Sequence, residues 1–327
     1  MAATTSDKLL FALLVPSTVV YLLFLVTVSK NRKKDPFNAP FFRIIFWLGI
    51  VDTVKLLEDW LMYKFPSFGW IGMHHLVMSL PGLLAKLHSI FFWFFGQVQV
   101  LAVLVLAYNR LTVCGFLQDW TSKQMKVIIA VWLILPLLFN IPLWPLEFSY
   151  SYNNDSNQSA NLYWENTDAQ WYYLLACGIS CVGVSLLSAV CYTTIYCKTR
   201  KRRNQLNEVR GKENRTISTR EVKLILVGVI LAVLASFCGI VCSIMAYGVD
   251  PDTMAVGLPY FNLVNDAFCW INPYLLLIFS KPVQTHFKAL ICCHNVSGVA
   301  MAHSERRVAW SETNKTAKKR SSAADRG

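Results

Sequence analysis

KTRKRRNQLNEVRGKENRTISTREVK, residues 198–223, carries ten lysines and arginines between two long apolar runs. Working outward from it, further apolar runs lie at 9–29, 42–63, 83–108, 125–146, 171–197, 223–248 and 258–279. Each approaches the 20 or so residues that a helix needs to cross roughly 30 Å of hydrocarbon. The segments between them alternate in charge. Segments 30–43, 110–126, 198–223 and 281–327 hold 27 of the 31 lysines and arginines, whereas the opposite side holds Lys8 and Lys64; Lys55 and Lys86 lie within spans. Lysine and arginine are retained on the cytoplasmic side of a membrane. The expected fold class is therefore all-α, a seven-transmembrane helix bundle with the N-terminus outside and the C-terminus inside. Its expected divisions are an extracellular 1–8, a membrane domain over 9–291 and a disordered cytoplasmic tail over 292–327.

Composition agrees, with 55% hydrophobic and 15% charged residues in 327. The net charge of +12 lies mostly in the cytoplasmic segments, which points to anionic inner-leaflet lipid and not to nucleic acid. The first apolar run leads directly into Lys30-Asn31-Arg32-Lys33-Lys34 without a small-residue cleavage site, so it reads as a retained helix. None of the ten cysteines falls in an outside loop, which argues against an extracellular disulfide framework. Cys177, Cys181, Cys238 and Cys242 stand at i, i+4 spacing on two spans, compatible with metal ligation or with small packing residues in a bundle. Segment 282–291, with Val283, Phe287 and Leu290 at helical spacing, predicts a short interfacial helix. Cys292 and Cys293 after it are candidates for palmitoylation or remain free thiols. Asn154 and Asn157 in the outside loop 147–169 are glycosylation sequons.

Polar residues inside the spans carry the functional signal, because charge in hydrocarbon is costly and faces the bundle interior or water. Asp52, Lys55, Glu58 and Asp59 share one face of the second span, as a compensated ion ladder or as a buried switch centred on Asp52. In the seventh span Asn265 and Asn272 are two turns apart, and Pro273 frees a carbonyl near residue 269 and favours a kink. Counting places Asn272 and Asp52 at similar depth, where they can meet. Asp266 lies further out, to bind a cationic or hydrogen-bonding ligand or to be neutralised by Lys55 or Lys86. The third span bears Lys86 and His88 at its outer end, Gln97 and Gln99 between, and Arg110 at its inner end. Arg110 is either a cytoplasmic anchor or a partner-exchanging switch.

These features resemble a G-protein-coupled receptor, and more closely a nematode-type serpentine chemoreceptor of the class gamma and class V grouping. The resemblance spans roughly 9–291. It rests on Asn109-Arg110-Leu111 ending span three, on Asn272-Pro273-Tyr274-Leu275-Leu276-Leu277-Ile278-Phe279-Ser280-Lys281 ending span seven, and on the basic third inner loop. Against the large rhodopsin-like family, Asn109 replaces an acid and Leu276 takes the tyrosine place of Asn-Pro-x-x-Tyr. Span six lacks Cys-Trp-x-Pro, and the usual outer disulfide has no cysteines. The hinge and acid lock of that family are therefore not carried over.

The resemblance implies a chemosensory receptor that binds an external small-molecule ligand within the bundle and signals to a heterotrimeric G protein. It also implies a multi-pass protein of the plasma membrane, in the ciliary membrane of sensory neurons. Asp266, Lys86, His88, Glu58, Trp171 and Tyr172 are the ligand-binding candidates. Asp52, Asn272, Pro273 and Arg110 are those for the conformational switch, and Arg110, Arg220 and Lys223 for the G-protein-facing surface. No cofactor or metal is expected, and monomer and dimer both remain open. The alternative is a seven-helix ligand-gated channel or transporter. An enzyme is not expected, since no nucleophile with a base and no ligand cluster gathers on neighbouring spans. An opsin would need a lysine within 258–280, and there is none.

Overall fold

The computed structural model describes residues 5–113, 121–153, 159–210, 219–247 and 251–292. Seven long helices run α1 (Thr5–Asn31), α2 (Pro40–Asp59), α5 (Pro81–Val113), α6 (Ser122–Asn140), α7 (Thr167–Arg210), α8 (Thr219–Tyr247) and α9 (Pro251–Phe279). The short helices α3 (Phe65–Phe68) and α4 (Met73–Ser79) follow α2 on the outer side, and α10 (Lys281–Ile291) follows α9 on the inner side. Five helices, α1, α5, α6, α7 and α8, are apolar and long enough to cross a bilayer unaided, and α9 meets the same measure together with α10. The remaining one, α2, leaves Arg43 exposed near its start and turns the ionisable residues further along inward. Asp52, Lys55 and Asp59 are buried on it, while Trp47, Val54 and Leu57 are exposed toward lipid.

Local sequence sets the boundaries. Pro40 occupies the first turn of α2, where its missing N–H costs nothing. A reciprocal capping box joins Thr121 and Gln124 at the start of α6. The basic stretch that decides the topology is more helical than its charge suggests: α7 continues to Arg210 and α8 begins at Thr219. An existing helix extends through Lys, Arg, Gln and Leu without a new nucleation cost. The chain turns by 101° between α9 and α10, and α10 buries Val283 and Phe287 at i, i+4, as an interfacial helix requires.

The outside loop is an addition to the all-helical expectation. Strands β1 (Phe148–Asn153) and β2 (Ser159–Trp164) form an antiparallel hairpin with Phe148 opposite Trp164 and Tyr150 opposite Leu162. Phe148, Tyr150, Ala160 and Trp164 are buried, the period-2 face of a half-covered hairpin. It lies over α3, α4 and α5. Burial, with Glu58 nearby, pushes the Tyr150 hydroxyl above its ordinary range. It donates to the Met62 carbonyl at 2.5 Å. Beneath the hairpin an outer apolar cluster includes Trp93, Leu174, Met245 and Phe261, and a larger core lies further in, around α1, α2, α5, α8 and α9.

Candidate functional site

Four elements converge on the middle of the bundle. Asp52 accepts three hydrogen bonds: from Tyr21 Oη at 2.5 Å, Gln99 Nε2 at 2.6 Å and Asn272 Nδ2 at 2.9 Å. Gln99 Oε1 in turn accepts from Lys55 Nζ at 2.7 Å, and Lys55 also donates to Asn265 Oδ1 at 2.5 Å. An amide therefore links the buried lysine to the buried carboxylate, and every one of these groups is at most 4% exposed. Such a relay satisfies groups that would be costly in isolation. The structure thus brings Asp52 and Asn272 together. It does not show the ion ladder along α2, since Lys55 reaches across to α5 and α9 and not along its own helix. Helix α9 is continuous through Pro273, and the Asn272 amide donates to Asp52.

A second charged tier lies outward. Lys64 Nζ sits 2.6 Å from Asp266 Oδ1 and 2.9 Å from Asp59 Oδ2, and all three side chains are at most 2% exposed. The expectation that Lys55 or Lys86 neutralises Asp266 is therefore corrected: the partner is Lys64, counted from sequence as an outside-loop residue. The cause is a π turn over Trp60–Lys64, closed by the Phe65 N–H on the Trp60 carbonyl. In a regular helix residues five apart diverge by about 140°; the wider π turn returns Lys64 to the side of Asp59. Beside it, His88 Nδ1 lies 2.6 Å from Glu58 Oε1, and Tyr63 stacks on His88 with ring centroids 5.7 Å apart.

Above this tier is a cavity of about 170 Å³. Phe92, Trp93, Trp164 and Phe261 form its walls, Leu162 from the hairpin and Leu174 and Leu258 add aliphatic surface, and Asp59, Tyr63, His88, Ser89, Gln170 and Asn262 bring polar groups to it. Of the ligand-binding candidates, His88 lines this cavity and Glu58 supports it from behind. Asp266 is buried beneath, against Lys64. Lys86 and Trp171 are not among the lining residues, and Tyr172, 64% exposed, lines a separate hollow with Phe139 and Asn140. Tyr63, Trp93, Trp164 and Phe261 were not singled out from sequence, because aromatic residues are abundant in every span.

At the inner end Arg110 is 6% exposed, its guanidinium 3.9 Å from the centre of the Phe41 ring. Lys223 is half-buried near the start of α8, where Arg220 also lies. Cys177 stands 3.9 Å from Cys181 on α7 and 3.8 Å from Cys242 on α8, sulfur to sulfur. Among the described residues no group of three or more His, Cys, Asp or Glu side chains is arranged to hold a metal. Cys292 is exposed after α10, whereas Cys293, Asn154 and Asn157 lie outside the described residues.

Residues 10–293 match the family model of the serpentine type 7TM GPCR chemoreceptor Srv. The chain belongs to the Srv family. Serpentine receptor class V-1 of Caenorhabditis elegans is 23% identical over 297 residues, which cover 86% of this chain and 88% of that protein. The crystal structure of squid rhodopsin superposes with a TM-score of 0.65 at 13% identity, covering 90% of this chain and 89% of the other. That likeness gives the seven-helix fold, and by its family this Srv chain is a multi-pass membrane protein of a receptor family and not of an enzyme family.

Proposed function

We propose that this Srv chain is a chemosensory receptor that binds a small external molecule in the outer cavity and signals to a heterotrimeric G protein. The observation that carries this reading is the pair of buried charged tiers beneath the cavity. Asp59 and His88 line it, Asp59 shares Lys64 with Asp266 of α9, and Asn265 and Asn272 of the same helix engage Lys55 and Asp52, which lie further in on α2. A ligand that alters the Asp59 contact acts on the alignment of α2 with α9, and differential affinity for two alignments shifts their populations. Asp52, Asn272 and Pro273 serve as the switch. Arg110, Arg220 and Lys223 face the G protein at the inner end, and the ciliary membrane of sensory neurons is the site of action.

Nucleotide exchange on a co-reconstituted G protein tests the proposal. Arg110→Ala is expected to reach the cell surface at near wild-type level while ligand-stimulated exchange falls at least about tenfold, the scale of losing a charged contact. Unaltered exchange would remove Arg110 from the coupling surface.

A further inference from the structure

The outer tier is one positive charge short. Lys64 is a single cation held between two buried carboxylates, Asp59 and Asp266, while Lys55 is committed one turn inward to Gln99 and Asn265. Asp59 Oδ1 and Glu58 Oε2 meet no donor among the described residues. Asp59 is 1% exposed, yet it lines the cavity. Buried carboxylate oxygens without donors are uncommon and call for a partner. The space above Asp59 is lined by no lysine or arginine, and the donors that do line it, among them Ser89, Gln170 and Asn262, make no hydrogen bond to Asp59 Oδ1.

The walls suit a cation. Phe92 and Trp93 are 5.7 Å apart, Phe92 and Phe261 5.9 Å, and Trp93 and Trp164 6.4 Å, centroid to centroid and steeply inclined to one another. A wall rich in aromatic rings attracts an organic ammonium wherever it meets a ring face, through the ring quadrupole, and Phe92 already holds the Lys55 ammonium in this way, 5.3 Å from its ring centre. Size sets the upper limit, because an apolar cavity of ~150 Å³ accommodates benzene. About 170 Å³ therefore holds one ring and a short chain.

We infer that the outer cavity takes a small organic cation, a one-ring alkyl ammonium whose charged nitrogen donates to Asp59 while its ring packs among Trp93, Trp164 and Phe261. This rests on the reading of the cavity as the ligand site. Neutral odorants and carboxylates are the disfavoured classes: the first bring no positive charge to Asp59, even where a hydroxyl can donate to it, and the second add a negative charge beside two buried carboxylates that share one lysine.

The test uses the full-length chain in nanodiscs of zwitterionic lipid near neutral pH, with tritiated 2-phenylethylamine as probe and unlabelled 2-phenylethanol and phenylacetate as competitors. Saturable binding of the amine is expected, with the alcohol at least about tenfold weaker and the acid weaker still. Asp59→Asn should reduce amine affinity about tenfold and leave that of the alcohol unaltered. Absence of saturable amine binding, an alcohol that competes as well as the amine, or Asp59→Asn protein that keeps the full amine preference would each overturn the inference. Should Asp59→Asn not fold, the comparison of the three probes on the wild-type chain decides alone. G-protein nucleotide exchange in the same nanodiscs separates the two readings. Amine binding without stimulated exchange sinks the receptor proposal and leaves the cation site. Exchange driven by the alcohol at lower concentration than the amine does the reverse.

Discussion

Asp52 and Lys64 show how differently two buried charges can be read from a chain. Asp52 with Asn272 was legible, because depth counted from each span end puts both in the inner half, and the structure places them 2.9 Å apart. Lys64 was not, because the i, i+3 and i, i+4 rules that reveal helical neighbours exclude a residue five positions from Asp59. Removing either charge should expose its role. Asp52→Ala strands three buried donors at about 1–3 kcal/mol each, so thermal unfolding in detergent should show a loss of several kcal/mol, and Asp52→Asn a smaller one. Lys64→Met leaves Asp59 and Asp266 facing each other without a cation and should cost about 3–5 kcal/mol. Adding Asp266→Asn should restore much of that. A double-mutant cycle with no coupling between 64 and 266 would show that the ion pair is energetically idle.

Among the elements, α7 and α8 make the closest helix pairing, and small residues allow it. A Cβ on Gly178 would stand 2.3 Å from Ser243 Oγ and 3.0 Å from the Gly239 carbonyl, and one on Gly239 would stand 3.0 Å from the Gly178 carbonyl. Backbone meets backbone at this crossing, the arrangement that small residues serve in membrane bundles. Gly178→Ala should therefore lower stability by about 1–3 kcal/mol through overpacking, read as a fall in Tm of the purified protein. Gly183→Ala, with nothing within 4 Å of the added carbon, should leave Tm unaltered or raise it. The hairpin was the element that sequence reading passed over. Its alternation, Phe148, Tyr150 and Tyr152 against Ser149 and Ser151, is present in the chain, yet Asn-rich and Ser-rich composition reads first as loop. The interfacial helix was legible because Val283 and Phe287 repeat at four residues on a segment that also carries Lys281 and Lys288.

For the whole molecule, charge distribution alone oriented seven spans, because sidedness depends on where lysine and arginine lie and not on how side chains pack. Helix lengths were less legible: α7 overshoots its apolar run by 13 residues to Arg210, since hydropathy reports the hydrocarbon and not the end of the hydrogen-bonded ladder. The cavity was the least legible feature, assembled from α2, α5, α7, α8, α9 and the hairpin, residues distant in sequence that only packing brings together. Orientation is testable in intact cells. A tag at the N-terminus should be open to antibody without permeabilisation, a tag at the C-terminus should require it, and glycosidase should reduce the apparent mass through Asn154 or Asn157. Inverted tag access would reverse the assignment of the outer and inner ends of the bundle.

The extra residue in the turn at Trp60–Lys64 also bears on how this chain is to be compared with its relatives. A homologue whose second helix is regular has no counterpart for one of these five positions. An ungapped pairing would then set Lys64 against a residue about 100° away around the helix. Evolutionary trees and transferred residue roles for the outer part of this helix depend on a single-residue gap being placed there. A natural deletion within 60–64 would trade the Lys64 bridge for a straight helix in one genetic event.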